Sequence, residues 1–284
     1  MNLVIDIGVY RFCIQGCPSA LYPDLKKLYS GSIDLHLDKP IDFYLSVKHT
    51  SFIRRFIKPQ VCLDIDQQRP FNPIKKTLLL PSLEWGMNWC IASFDSTRLL
   101  IHSSVLVKNG KAILFPAAPG SGKSTLATYF GLNGWKVYSD EMAIINLHKN
   151  TVKAIHRPAS LKESSIDVIK ALVPDVVMSS VAKGTHKGDI AHVKLSSRES
   201  FDGFDDAVIC AVVLPKYQVG AELVITPLSQ TAGFSRLVHH SFNYTVLGKV
   251  GFDTLKTITD NSQFFSVSYS SYTGLDTFLD ELVS

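Results

Sequence analysis

The chain has 284 residues, 46% hydrophobic and 19% charged, and its 29 Lys+Arg against 25 Asp+Glu leave a net charge of +4. That length makes one large domain or two modest ones and buries about three-quarters of the unfolded surface, so no disulfide or metal staple is needed. The basic excess is small and scattered rather than gathered in a stripe, which argues against nucleic acid as a partner, and no run of about 18 apolar residues offers a membrane-spanning helix.

The elements follow in chain order. Residues 1–6 lack a basic leader region and are broken by Asp6, so they read as a strand and not as a signal peptide. Residues 33–37 and 43–47 alternate apolar and polar, the period of half-buried strands. Pro70 and Pro73 mark a turn, because proline fixes φ and lacks a donor. Residues 84–89, with Trp85 and Trp89, read as core or interface packing. Residues 99–102, 105–107 and 112–115 read as strands, with Asn109-Gly110 as a hairpin turn. A helix carrying Leu126, Tyr129 and Phe130 at helical spacing ends near Gly134, and residues 135–141 form a buried strand with acids at its end. Residues 164–172 read as a helix, and 207–214 as a central strand because they are apolar without interruption. Leu275, Phe278, Leu279 and Leu282 place one apolar face on a closing helix. Five cysteines, Cys13, Cys17, Cys62, Cys90 and Cys210, are odd in number and mostly sit in apolar runs, which predicts free thiols and a cytoplasmic location. Cys13 and Cys17 have no second pair nearby, so zinc is not expected.

The residues that carry chemistry lie in Ala117-Ala118-Pro119-Gly120-Ser121-Gly122-Lys123-Ser124-Thr125, between a predicted strand and a predicted helix. Glycines there let successive backbone amides point into one concavity, and the helix N-terminus adds positive potential, so phosphate oxygens are held. Lys123 would reach the β- and γ-phosphates, and the Ser124 hydroxyl would ligate Mg²⁺. The full pattern asks for glycine where Ala117 stands. Downstream, Asp140 and Glu141 suit a carboxylate for Mg²⁺ and a base for a hydroxyl nucleophile. Residues 183–189 mix Gly, Lys and His, as either a loop over phosphates or a plain surface loop would. His102, in an apolar segment, reads either as a satisfied core histidine or as a reacting one.

With these residues in hand, the chain resembles the HPr kinase/phosphorylase superfamily, most closely its HprK-related kinase A branch. The resemblance rests on Ile101-His102-Ser103-Ser104-Val105 ahead of the loop, on Gly120 to Ser124, and on the acid pair Asp140-Glu141. Further matching elements are Glu84 to Cys90, Gly134-Trp135, Arg157-Pro158 with Ser160 to Lys162, Lys187-Gly188 with Ile190 to His192, and Ser241 to Tyr244. What the resemblance implies is an α/β (mixed α+β) chain. In it a P-loop kinase domain on a mixed sheet, related to phosphoenolpyruvate carboxykinase, would occupy residues 96–284 behind a smaller strand-rich domain of residues 1–95. It implies transfer of the γ-phosphoryl group of ATP, with Mg²⁺, to a hydroxyl, expected to be a serine, of a protein, peptide or small hydroxylated metabolite. Asp140 is implied as the base, Glu141 with Asp140 and Ser124 at the metal, and His102 and Lys123 in the active site. Ala118 to Thr125 would hold the nucleotide. Lys187 is implied in a basic loop near the transferred phosphate, Arg157 and Lys162 as nucleotide or substrate contacts, and a homo-oligomer as the assembly. The signature that follows the second acid in HPr kinases is missing, so neither HPr as acceptor nor the reverse phosphorylase activity is implied. Two other readings of the loop remain open at this stage: an NTPase whose nucleophile is water, and a nucleotide-binding regulator without transfer chemistry. The chain lacks both an LSGGQ stretch and an Asn-Lys-x-Asp guanine reader, which weighs against the first.

Overall fold

The computed structural model describes residues 1–36, 39–51, 54, 58–66 and 68–284. Leu37, the last residue of the first alternating run, lies outside them. The chain is mixed α/β and forms two compact units, each built from two stretches: Met1–Phe94 with Ile155–Gly203, and Asp95–Ala154 with Phe204–Ser284. The first stretch carries β1 (Leu3–Asp6), β2 (Arg11–Gln15), α1 (Tyr22–Leu28), β3 (Ile33–Asp34), β4 (Phe43–His49), β5 (Gln60–Ile65), β6 (Ile74–Lys75) and α2 (Leu79–Phe94). The second carries β7 (Arg98–Ile101), β8 (Ser103–Lys108), β9 (Lys111–Pro116), α3 (Lys123–Leu132), β10 (Lys136–Ser139), β11 (Ala143–Asn146) and β12 (Thr151–Lys153). Then come β13 (Ala159–Lys162), α4 (Ser164–Leu172), β14 (Ala182–Thr185), β15 (Gly188–Val193) and α5 (Arg198–Asp202). The last stretch holds β16 (Ala207–Tyr217), β17 (Val224–Pro227), α6 (Gln230–His240), α7 (Tyr244–Leu247), α8 (Lys249–Asn261), β18 (Gln263–Tyr269) and α9 (Leu275–Leu282). Among the described residues no helix is long and apolar enough to cross a membrane.

In the first unit a sheet of order β3-β1-β2-β4-β5-β6 lies under α2. The alternation read in the sequence is real in β4, where Phe43, Leu45 and Val47 are buried and Tyr44 is exposed. The alternating run from residue 33 is strand only at Ile33–Asp34. Beyond it the Asp34 carboxylate accepts the His36 amide at 2.9 Å and turns the chain. The helix α2 carries the aromatic-rich run, and Gly86 sets its approach to the sheet. A Cβ there would stand 2.8 Å from Leu63 Cδ2 and 3.2 Å from Leu45 Cδ2.

A single domain over residues 96–284 is not what forms. The Phe94–Asp95 junction does divide the units, but residues 155–203 return to the first one. They bring the antiparallel sheet β13-β15-β14 and a set of polar ties. Arg157 Nη2 meets Glu84 Oε2 at 2.6 Å, the His156 amide donates to Ile7 O at 3.0 Å, and Arg198 Nη1 donates to Asp6 O at 2.9 Å. Such long-range pairing has no local signal for sequence periodicity to detect.

In the second unit the order is β10-β8-β9-β16-β12-β11-β7, and β18 joins β16 in parallel with β17 beside it. Asn109 (φ 54°) and Gly110 (φ 74°) make the left-handed pair of a tight hairpin between β8 and β9, as the dipeptide predicts. Both β9 and β10 run antiparallel to β8. The C-terminal ends of β9 and β10 therefore lie at the same end of the sheet as the start of β8. The helix α3 packs on β8 and β10. It stops at Gly134, whose φ of 95° lets the Trp135 amide reach back to Phe130 O at 3.0 Å. The Phe130 and Trp135 rings meet edge to face at 6.0 Å and close that cap. All five cysteines are free, and burial pushes the Cys17 thiol up to about 11 and Cys90 up to about 12, which leaves both protonated.

Candidate functional site

The end of β9 runs into a glycine-rich loop that delivers the chain to α3. Ala117 is buried at its base, and Ala118, Pro119 and Gly120 are exposed at its crest. Gly120 (φ 86°) and Gly122 (φ 88°) both adopt the left-handed backbone that costs an L side chain strain. They differ in surroundings. A Cβ on Gly120 would meet nothing within 4 Å, whereas one on Gly122 would stand 2.8 Å from Tyr217 Cβ and 3.0 Å from Tyr269 Oη. The loop is tied at Ser121, whose amide donates to Ala118 O at 3.3 Å and whose carbonyl accepts from the Tyr217 amide at 3.0 Å. The helix begins with the Leu126 amide bonded to Gly122 O at 2.9 Å, so its first turn of amides, with the half-buried Ser124 and Thr125, opens toward the loop.

Lys123 is the first residue of α3 and is only 6% exposed. Its ammonium donates to His102 Nε2 at 2.8 Å. The same nitrogen lies 3.4 Å from Glu141 Oε2. His102 therefore sits between the lysine and the carboxylate, on the link from β7 to β8. Asp140 follows β10 and is buried; Ser104 Oγ bonds its carbonyl at 2.7 Å and its Oδ1 at 3.0 Å. The strand order thus brings together His102, Lys123, Asp140 and Glu141, which the sequence reading selected from separate stretches.

One member of this group carries no sequence signal. The His102 amide donates to His240 O at 2.8 Å, at the end of α6. Burial, and then the neighbouring His239, His102, Lys123 and Arg236, push the His240 imidazole down to about 4, so it is neutral at ordinary pH. Its place is fixed by the residues after it. Ser241 bridges Ile101, and the Phe242 amide donates to Leu100 O at 2.9 Å. The buried Asn243 accepts the Leu100 amide at 3.0 Å and donates to Asp95 O and Arg98 O. The exposed Phe242 ring lies 5.8 Å from the His102 ring. The Ser241 to Tyr244 run is the nearest hint of this in the sequence.

Arg157 and Lys187 belong to the other unit. Arg157 does not present a free cation. Its side chain is 8% exposed, and its guanidinium donates to Glu84 Oε2 at 2.6 Å, to Glu84 O at 2.9 Å and to Asn88 Oδ1. Tyr29 closes the cluster by donating to Glu84 Oε1 at 2.6 Å. Burial alone would lower the Arg157 pKa, but the Glu84 carboxylate and Tyr29 raise it above its ordinary value. Lys187 sits at the tip of the β14–β15 hairpin with its ammonium 5.1 Å from the Trp85 ring centre, and His186 packs on the same ring at 4.7 Å.

Among the described residues no group of three or more His, Cys, Asp and Glu side chains gathers as a metal centre. Ser124, Asp140 and Glu141 offer hard oxygen donors, which suit Mg²⁺ when phosphate oxygens complete its shell. The chemistry open to this end of the sheet is anion binding on the loop amides and Lys123, with a buried carboxylate nearby to take a proton. No protein-family model matches the chain, and no curated protein matches it.

Proposed function

We propose that the protein is an ATP-dependent phosphotransferase acting on a hydroxyl, and that the second unit is its P-loop kinase domain, of the type shared by HPr kinase and phosphoenolpyruvate carboxykinase. The observation that carries this reading is the convergence of the glycine-rich loop, Lys123, His102 and the acids Asp140 and Glu141 at one end of one sheet. The loop amides from Ala118 to Thr125 cradle the triphosphate, and Lys123 leaves His102 to balance charge on the β- and γ-phosphates. Ser124 with Asp140 and Glu141 would hold Mg²⁺, which would supply charge neutralisation on the phosphate oxygens. Asp140, oriented by Ser104, accepts the proton of the attacking hydroxyl. That oxygen bonds to the γ-phosphorus as the bridging oxygen departs with ADP. Catalysis comes from positioning and fixed charge rather than from covalent chemistry by the protein.

The acceptor is a serine hydroxyl or one like it on a protein, a peptide or a small hydroxylated metabolite, in a cytoplasmic setting that suits the free thiols. Arg157 is left out of the nucleotide contacts, because its guanidinium serves Glu84. Phosphoproteomics on the host cell with wild type and Lys123→Ala tests the reading. Phosphorylated sites that vanish with Lys123→Ala support it, and identical phosphoproteomes with identical metabolite phosphates count against it.

A further inference from the structure

Two hydroxyls beside the loop have no part in the mechanism above. Tyr269, at the end of β18, is 1% exposed, and its Oη has no hydrogen-bond partner. That oxygen lies 3.0 Å from the position a Cβ would take on Gly122, so it is aimed at the last residue before α3. Ser121, the neighbouring loop residue, likewise has its Oγ shut from solvent with no partner. Roughly nine in ten buried polar groups are bonded in folded proteins. Two orphans, one on the loop at Ser121 and one facing the next loop residue, Gly122, therefore call for an explanation that concerns the loop.

The tyrosine cannot easily turn away. Its strand pairs with β16 in parallel, Tyr217 opposite Tyr269, and the Gln218 amide donates to Tyr269 O at 2.9 Å. Its ring is wedged edge to face on Tyr217 at 5.7 Å, with Tyr272 at 6.0 Å. The adjustable part is the loop, where Gly120 stands in open space on a backbone that only glycine adopts without strain.

We infer that Tyr269 and Ser121 are positioning residues for the nucleotide-bound loop, their hydroxyls gaining partners only when the phosphate chain of a nucleoside triphosphate is seated. As the loop amides turn onto phosphate oxygens, the loop carbonyls turn the other way. Tyr269 Oη and Ser121 Oγ are placed to donate to those carbonyls and hold the loop in its bound form. This rests on the reading of the loop as a triphosphate cradle and adds the groups that pre-set its closure.

The test is calorimetric titration of MgATP into wild type, Tyr269→Phe, Ser121→Ala and Lys123→Ala, with thermal melting of each protein free of nucleotide. Tyr269→Phe keeps the ring and loses only the orphan hydroxyl. It is expected to melt no lower than wild type and to bind MgATP about tenfold more weakly, with Ser121→Ala weakened in the same direction. Equal affinity in wild type, Tyr269→Phe and Ser121→Ala, in a protein whose binding Lys123→Ala abolishes, overturns the inference while sparing the cradle. A lower melting temperature for nucleotide-free Tyr269→Phe also overturns it, since the hydroxyl would then already have a bond to lose. Wild type that does not bind MgATP overturns the cradle reading, and this inference with it.

Discussion

Replacing Arg157 by methionine tests whether this arginine holds the first unit together or serves a nucleotide. The substitution leaves the Glu84 carboxylate buried with only Tyr29 to bond it, because the three guanidinium contacts to Glu84 and Asn88 vanish together. Removing one partner of a buried pair costs about 3–5 kcal/mol, against about 0–1 kcal/mol for an exposed one. Both side chains here are under a tenth exposed, so the larger figure applies. At about 2–4 °C per kcal/mol for domains of this size, Arg157→Met should lower the melting midpoint by roughly 6–20 °C. The double variant Glu84→Gln with Arg157→Met removes the stranded charge and should recover much of that loss. Thermal melting and urea unfolding read the stability, and MgATP titration well below the midpoint reads the site. A loss below about 1 kcal/mol, or a weakened MgATP affinity with unchanged stability, refutes the structural assignment of Arg157.

Gly122→Ala should be worse than Gly120→Ala. Both force a left-handed alanine, worth about 1–2 kcal/mol, but only the first also drives a Cβ to 2.8 Å from Tyr217. Equal urea midpoints for the two variants would contradict the loop geometry. The His240 imidazole is lowered from 6.5 to about 4, so the folded state keeps it neutral where the unfolded chain binds a proton. Its contribution to stability is therefore present above pH 6.5 and lost as pH falls toward about 4. His240→Asn should flatten the loss of stability over that window, as read by urea midpoints across the pH series, and an unchanged slope would count against the half-buried neutral ring.

Signals confined to neighbouring residues were legible in the sequence. Asn109-Gly110 is a hairpin, Ser164–Leu172 and Leu275–Leu282 are helices, and the strand–loop–helix around Lys123 stands where the glycines place it. Each depends on dihedral preference or on side-chain period, which a short stretch expresses by itself. The return of residues 155–203 to the first unit depends on contacts such as Arg157 with Glu84, and on strand pairing that periodicity does not encode. The resemblance implies Arg157 as a nucleotide or substrate contact, and the sequence shows the charge of an arginine without its partner, here Glu84. His240 and Tyr269 were missed for a related reason. Each lies at the end of an ordinary amphipathic or strand-like stretch; the pairing of Ser241 with Ile101 brings His240 to His102, and the pairing of β18 with β16 brings Tyr269 to the loop.

The most direct measurement follows the γ-phosphate itself. Purified protein is incubated with γ-labelled ATP, Mg²⁺ and a desalted or whole extract of the host cell, beside Lys123→Ala and Asp140→Asn. The account predicts label moving to an acceptor other than water with wild type, none with Lys123→Ala, and greatly slowed transfer with Asp140→Asn, which still binds MgATP. Label released only as inorganic phosphate, at the same rate with and without extract, would contradict it and assign the site to hydrolysis. Undiminished transfer by Asp140→Asn would contradict the assignment of the base.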